Sequence, residues 1–329
     1  MNKIITLAVA FLLFIPFASI NGSNISLIKN TNGNVLYVGG SGPNNYTTIT
    51  KALGDASNGD TIFAYPGTYH ERLSIHKSIN LISKNRNITI IDGGGKTEST
   101  ISIYGDFVTI EGFTVRNGWY AGIYIKSNYS TITKNNLSNN DIGVALENSI
   151  GARISANIII SNDIEGIDIY KSNSNNLSDN FISDNCIGVY LSGSIGNIIA
   201  NNTIIDNDGG IYFGGSNNNR IYGNDIILNN NKTLGAGLYL EGSFYNIIHH
   251  NNFIMNYIQA TFTSSYMMRH NPYTNNWDGN YWGRPRILPK PIVGWWAPFL
   301  WLNFDWHPAM KPYGDFTLKN MVQPMNTLE

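Results

Sequence analysis

The chain has 329 residues, a net charge of −1 and only 13% charged side chains, which leaves no basic surface for nucleic acid. Its length would hold two ordinary domains, but an internal repeat argues for one elongated domain. Cys186 is the only cysteine, which excludes an intrachain disulfide and suggests a buried, inert thiol.

Residues 1–22, "MNKIITLAVAFLLFIPFASING", place Lys3 before an apolar run from Ile4 to Phe17 and then small polar residues. The run is too short to cross a bilayer and reads as a secretory signal peptide, cleaved near Ile20 to Ser23. The mature chain is therefore expected to be exported to the periplasm, the cell surface or the medium, with no integral span. Residues 23–45 form an N-terminal segment. Within Thr47 to Ala56, Ile49, Ala52 and Leu53 fit a short helix, assigned as the cap over the open end of a coil of strands.

Brief β-branched runs follow at Thr61 to Ala64, Leu73 to Ile75, Ile79 to Ile82 and Thr89 to Ile91, punctuated by Pro66, Gly67 and the Gly93 to Gly95 cluster. From Asn135 to Leu240 one phrase recurs. Its glycines, Gly122, Gly143, Gly166, Gly188, Gly210 and Gly237, are spaced 21, 23, 22, 22 and 27 apart, and Asn136, Asn157, Asn180, Asn202 and Asn224 step by 21, 23, 22 and 22. A fixed period of this length, in units of strand and turn only, predicts an all-β solenoid of the parallel β-helix kind. Residues one and three after each Gly are apolar (Ile123/Ile125 through Leu238/Leu240), so strand alternation buries those columns and turns the residue between them outward. The excess before Gly237 is assigned to a loop at Asn229 to Leu234. Gln259 takes the Gly position one rung later, and the coil is bounded at 46–271.

The stretch from Gly59-Asp60-Thr61 to Pro66-Gly67-Thr68-Tyr69, the "INLIS" strand, the Ile91-Asp92-Gly93-Gly94 turn, the repeat "NxIxxNxxGIxLxxS" and the closing "NNWDGNYWG" at Asn275 to Gly283 together resemble NosD-like proteins. The resemblance spans roughly residues 46–283. It implies a right-handed parallel β-helix of the class that also holds pectate lyases, and an association with copper delivery to a periplasmic copper enzyme. The lyases of that class pair a Ca²⁺-binding acidic cluster with an Arg or Lys base; Arg116, Lys126, Arg153 and Lys171 are scattered here and match no such arrangement.

From Pro272 onward the composition changes: six of the seven tryptophans and eight of the eleven prolines lie there. Residues 272–329 are read as a Trp- and Pro-rich cap folded over the last rung; the other reading is an aromatic surface for sugar or lipid.

Three constellations could carry chemistry. The outward column Tyr124, Ala145, Asp168, Tyr190, Tyr212 and Tyr239, then Thr261, would form an aromatic strip on which sugar rings stack while Asp168 hydrogen-bonds to hydroxyls, although tyrosine is also at home on an exposed strand. Asp184 and Asp206, one rung apart, could form a glycosidase pair, or simply serve their turns; Asp163, Glu165 and Asp208 nearby raise a Ca²⁺ site. His249, His250, Met255, Met267, Met268 and His270 lie within 22 residues and suit copper, with thioethers favouring Cu(I). His70, His76 and His307 are read as surface or turn residues, and the Asn columns as amide ladders of the scaffold.

The leading expectation is thus an exported, non-catalytic NosD-like protein that binds a polysaccharide, or copper for a partner enzyme's maturation. A polysaccharide lyase or glycosidase and a structural cell-surface module are the alternatives.

Overall fold

Each turn of the coil holds three short strands because its sequence offers three β-branched runs, each stopped by a residue that accepts a left-handed backbone. In one turn these are Arg153–Ser155, Ile158–Ile160 and Glu165–Tyr170. Ala156, Ser161 and Lys171 end them with φ of 54°, 52° and 46°. The computed structural model describes residues 33–95, 97–231, 235–264, 274–296 and 299–314. The expected signal peptide, and Met267, Met268 and His270, lie outside the described residues.

Stacking the turns gives three parallel faces. The first carries the Gly column and runs from Leu73–Ile75 through Glu165–Tyr170 to Ile258–Ser264. The second runs from Val35–Val38 to Asn276–Asp278. The third is a nine-stranded sheet from Gly67–Tyr69 to Asn252–Ile254. An antiparallel hairpin, Lys290–Trp296 with Phe299–Asp305, joins the first two faces, pairing Gly294 with Phe262 and Asp305 with Trp277.

The apolar columns after each glycine are buried as expected: Ile123, Ile125, Val144, Leu146, Ile167 and Ile169 are inaccessible to solvent. The glycines are needed for close approach. A Cβ on Gly143 would stand 2.5 Å from the Gly166 carbonyl oxygen and 2.6 Å from Ile159 Cγ2 of the next turn. Gln259 does occupy the next position of this column, where its side chain accepts a hydrogen bond from Asn256.

Buried amides tie the turns together. In the ladder Asn135, Asn157, Asn180, Asn202, Asn224, Asn251, Asn280, each backbone N–H and each Nδ2 donates to Oδ1 of the next member. A second ladder runs from Asn140 to Asn256, a third from Asn175 to Asn275, and a column of serines from Ser149 to Ser243. The ladder member in the first copy is Asn135 and not Asn136, which lies on the strand opposite Ile158. The spacing of the true ladder there is therefore one residue longer than the expected alignment had it. These amides satisfy one another in a low-dielectric interior, where an unpaired one would cost about 1–3 kcal/mol.

The ends differ from expectation in extent. The helix is Ile49–Asp55, with Thr48 as N-cap, and Val35–Val38 extends the second face before it. Glu71 accepts from the Ile49 and Thr50 N–H groups, while Lys77 Nζ donates to the carbonyls of Leu53, Gly54 and Ala56, so both helix ends are held by the first turns of the coil. At the other end the coil runs on past residue 271: Trp277 takes the slot of Ile248 one turn later, and Asn275 and Asn280 prolong two ladders. The aromatic composition marks a change of side-chain size there, and the backbone pattern continues beneath it.

Candidate functional site

The outward column is assembled as the alternation dictates. Ser74, Ser102, Tyr124, Ala145, Asp168, Tyr190, Tyr212, Tyr239 and Thr261 stand opposite one another in register along the first face. The tyrosines do not lie flat. Tyr190 and Tyr212 are tilted by 48° at 5.5 Å, and Tyr212 meets Tyr239 edge-on at 4.6 Å. Tyr212 donates to Glu241, and Tyr239 bonds to Thr263. This half of the column is a ridge of rings that cover one another, with each ring half-buried.

The concavity lies at the other end. A depression of about 500 Å³ is bordered by Arg72, Glu98, Tyr104, Trp119, Tyr120 and Tyr124. Trp119 is 56% exposed, and Tyr104 and Tyr120 both set their edges against Tyr124. Sequence reasoning found Tyr124 here and missed the rest, because Tyr104, Trp119 and Tyr120 sit outside the repeated phrase, before the strand or at the corner. The run "NGWYAG" was the available signal.

Two turns further on, Asp168 and Glu165 form an acidic pair. Asp168 Oδ1 is shut off from solvent without a hydrogen-bond partner among the described residues. Burial pushes the Asp168 carboxyl up to about 6, with the Ile169 N–H pulling the other way. Burial and the neighbouring Asp168 push Glu165 to about 7. Tyr120 is raised by burial and by the nearby charges of Asp168, Glu147 and Glu165. Tyr124 donates to Glu147, whose carboxylate is also paired with Lys126 at 3.0 Å; the hydrogen bonds from Tyr124 and Lys126 hold Glu147 below its ordinary range. The first face thus carries a depression with aromatic walls and, two turns further along, two carboxyls raised to about 6 and about 7.

Asp184 and Asp206 belong to a different part of the coil. They fall in the corner column Asn117, Asn139, Ser161, Asp184, Asp206, Leu228, Met255, every member of which has φ between 51° and 59°. Asp and Asn tolerate that backbone better than other side chains. Both acids are exposed, and Asp184 accepts from Ser161 Oγ at 2.7 Å. The geometry gives them a turn role. Among the described residues no three of His, Cys, Asp and Glu form a metal-holding group, so Asp163, Glu165 and Asp208 make no calcium cage. Three of the four cations considered as lyase bases are engaged elsewhere, Arg116 with Asp92 at 2.9 Å, Lys126 with Glu147 and Lys171 over the Tyr170 ring, and Arg153 is exposed on its strand. Cys186 is raised by burial and by Asp208 and Glu165, which disfavours the thiolate.

The His/Met segment is only partly brought together. A regular strand would turn His249 and His250 to opposite sides, but His250 takes a corner position with φ of 56°, and the two Nδ1 atoms meet at 3.1 Å. Tyr222 stacks on His249 at 5.1 Å, and Tyr313 covers His250. Burial, His250 and Arg220 lower His249, which favours its neutral ring; the contact between the two Nδ1 atoms requires that one of them donate and the other accept. Met255 is at another corner, across the strand Asn252–Ile254 and 58% exposed. The described residues therefore offer two imidazoles and no thioether beside them, which does not make the mixed donor set expected for copper.

A coil of three parallel faces, with buried Asn and Ser ladders and a groove on its outer surface, defines the right-handed parallel β-helix class; a family model described as "Right handed beta helix region" matches residues 187–283. A second family model, "Periplasmic copper-binding protein (NosD)", matches residues 53–234, more than half of the chain. The chain belongs to the NosD family. It is 36% identical to a cell surface glycoprotein of Methanothermus fervidus over 97 residues, a match that spans 29% of this chain and 16% of that protein. Among solved structures it is similar to pectate lyase Pel9A, with a TM-score of 0.55 at 16% identity, covering 77% of this chain and 80% of the lyase. It is also similar to the DFA-IIIase of Arthrobacter chlorophenolicus in complex with DFA-III, with a TM-score of 0.54 at 12% identity, covering 89% and 88%. At these identities the likeness is one of fold.

Proposed function

We propose that this protein is exported and binds a neutral polysaccharide along its first face, without acting on it. The observation that carries this reading is the aromatic depression at Tyr104, Trp119, Tyr120 and Tyr124, on the face whose outward column also holds Asp168 two turns on. Sugar rings present C–H faces to aromatic walls and hydroxyls to polar groups. Carboxyls that hold their protons near neutrality can both donate to and accept from hydroxyls, whereas an anionic polymer would meet three acids, Glu147, Glu165 and Asp168. The leader-like run at Ile4 to Phe17, the periplasmic description of the family and the cell-surface relative all support export.

The family description raises copper as another cargo for a partner enzyme. His249 and His250 are the described residues that favour it, and Met267, Met268 and His270 would have to complete the donor set.

Affinity electrophoresis through gels cast with neutral and with acidic polysaccharides tests the proposal. A neutral polymer is expected to retard the wild type, and Trp119→Ala and Tyr120→Ala to weaken retention about 2- to 10-fold each, as loss of about 0.5–1.5 kcal/mol of ring contact would. Retardation by no polymer, or retention unchanged in both variants, would overturn it. Release of reducing ends or unsaturated products during incubation would replace binding with catalysis.

A further inference from the structure

The C-terminal hairpin is laid against the coil, the backbone of Gly294, Trp295 and Trp296 pairing with Phe262, Thr263 and Ser264, while its outer side chains are open to solvent. Ile292 and Asn303, opposite each other near the root, are buried, and Asp305 is inaccessible. Towards the turn the side chains become apolar and open: Trp295 is 57% exposed, Phe299 65% and Leu300 57%. Ile287 and Leu288, on the approach to the hairpin, are 88% and 75% exposed. A soluble surface seldom leaves so many large apolar side chains together without a partner.

Beside this surface stands a group of cations. Burial, Arg286 and Arg284 lower the Lys290 ammonium, so the three side chains are close enough to feel one another. None of the three takes part in an ion pair among the described residues, and Arg286 Nε is buried without a hydrogen-bond partner. Lys290 lies over the Trp282 ring and donates to the Pro291 carbonyl, which fixes it at the root.

We infer that the hairpin is an interfacial anchor for an anionic lipid surface, its apolar end entering the boundary between headgroups and acyl chains while Arg284, Arg286 and Lys290 meet lipid phosphates. Seven residues per strand give a hairpin about 23 Å long. Its distal segment stays paired with the coil, so the exposed side chains, and not the whole distal half of the backbone, enter the interface. The strands are too short to span a bilayer, which takes about 9–11 residues. Charge complementarity selects this occupant. A second copy would set one cation group against another, and a neutral sugar would leave the cations without a counter-charge. Indole rings beside basic residues are the composition that membrane interfaces favour.

Co-sedimentation of the full chain with vesicles of phosphatidylcholine, with and without phosphatidylglycerol, tests the inference. Binding is expected with phosphatidylglycerol present and should weaken as salt is raised. The double variant Trp295→Ser/Leu300→Ser should lose at least about tenfold in partitioning. Arg284→Gln/Arg286→Gln should lose the preference for the anionic vesicles. Both pairs leave the coil intact, and an unchanged far-ultraviolet spectrum and melting curve check that they do. No sedimentation with either vesicle, or equal sedimentation of all variants, overturns the inference. So does light scattering that shows a wild-type dimer converted to monomer by Trp295→Ser/Leu300→Ser, which would assign the face to a second copy.

Discussion

Asp305 closes the longest amide ladder, and its replacement is the sharpest test of how the coil ends. At every earlier level an Asn Oδ1 accepts from the preceding Asn; at the last level Asp305 Oδ2 takes that place for the Asn280 N–H (2.9 Å) and Nδ2 (3.1 Å), and also accepts from Trp282 Nε1 at 3.0 Å. Its Oδ1 accepts from the Gly279 and His307 N–H groups. Asp305→Ala strips five donors of one carboxylate in a site with no solvent access. A hydrogen bond to a charged group contributes about 1.5–3 kcal/mol, and bonds sharing one acceptor are far from additive, so the loss is expected on the order of 3–5 kcal/mol. Asp305→Asn keeps the shape and can keep the ladder bonds on its carbonyl oxygen, but turns an NH₂ towards the Gly279 and His307 donors; about 2–3 kcal/mol should go. Urea unfolding followed by circular dichroism gives the order wild type, Asn variant, Ala variant. Hydrogen exchange of the Gly279 and Asn280 amides should accelerate first, because a solenoid frays from an unsealed end. An Ala variant within about 1 kcal/mol of wild type, with those amides still protected, would refute the reasoning.

Asp168 and Glu165 have folded pKa values of about 6 and about 7, above the 3.8 and 4.5 of the free groups. Their contribution to stability is therefore present in full below about pH 4 and lost as pH rises through about 7, because the native state then holds protons that the unfolded chain releases. Asp168→Asn with Glu165→Gln should flatten this fall and leave the protein ~1–2 kcal/mol more stable than wild type at pH 8, after allowance for solvent screening, as read from urea midpoints at pH 5 and pH 8. For copper, the pair His249→Ala/His250→Ala is expected to retain any stoichiometric Cu(I) that the full chain holds in a competition titration. Loss of a one-to-one site in that variant would show that the imidazole pair is a ligand set. Lys77→Met removes the three carbonyl contacts at the helix end and should cost about 1–3 kcal/mol of local stability, measured as faster amide exchange in Ile49–Asp55.

The fold was legible because its framework repeats. The Gly column, the buried pairs that follow each Gly and the Asn ladder through Asn157, Asn180, Asn202 and Asn224 could be read from spacing alone, since every turn must solve the same close approach and the same corner. Register failed only at Asn135-Asn136, where two adjacent asparagines offer the same chemistry and only the corner geometry chooses between them. Asp305 could not be read as a ladder member because it differs in type from the other rungs and arrives through an antiparallel hairpin. The outward column was legible as a line, but not as a surface: alternation says that Tyr190, Tyr212 and Tyr239 face out, and it is their mutual tilt that makes them a ridge. The depression beside Tyr124 depends on Tyr104, Trp119 and Tyr120, which obey no period.

The corner columns explain why several chemically suggestive residues turn out to be framework. Asp184, Asp206, Met255 and His250 all occupy left-handed positions, where backbone conformation is satisfied before any ligand is considered. The outward column is under no such demand: Ala145, Asp168 and Tyr190 follow one another on adjacent turns of nearly identical backbone. The repeated framework of glycines, asparagines and buried residues therefore constrains this column very little. What the column and its flanking residues do specify is charge. A uronate polymer laid along Glu165 and Asp168 would drive both carboxyls further towards the protonated form and lose binding as pH rises. A neutral polymer meets two hydrogen-bonding carboxyls that titrate at about 6 and about 7 without that repulsion, and this difference in pH response separates the two ligand classes without knowledge of the sugar.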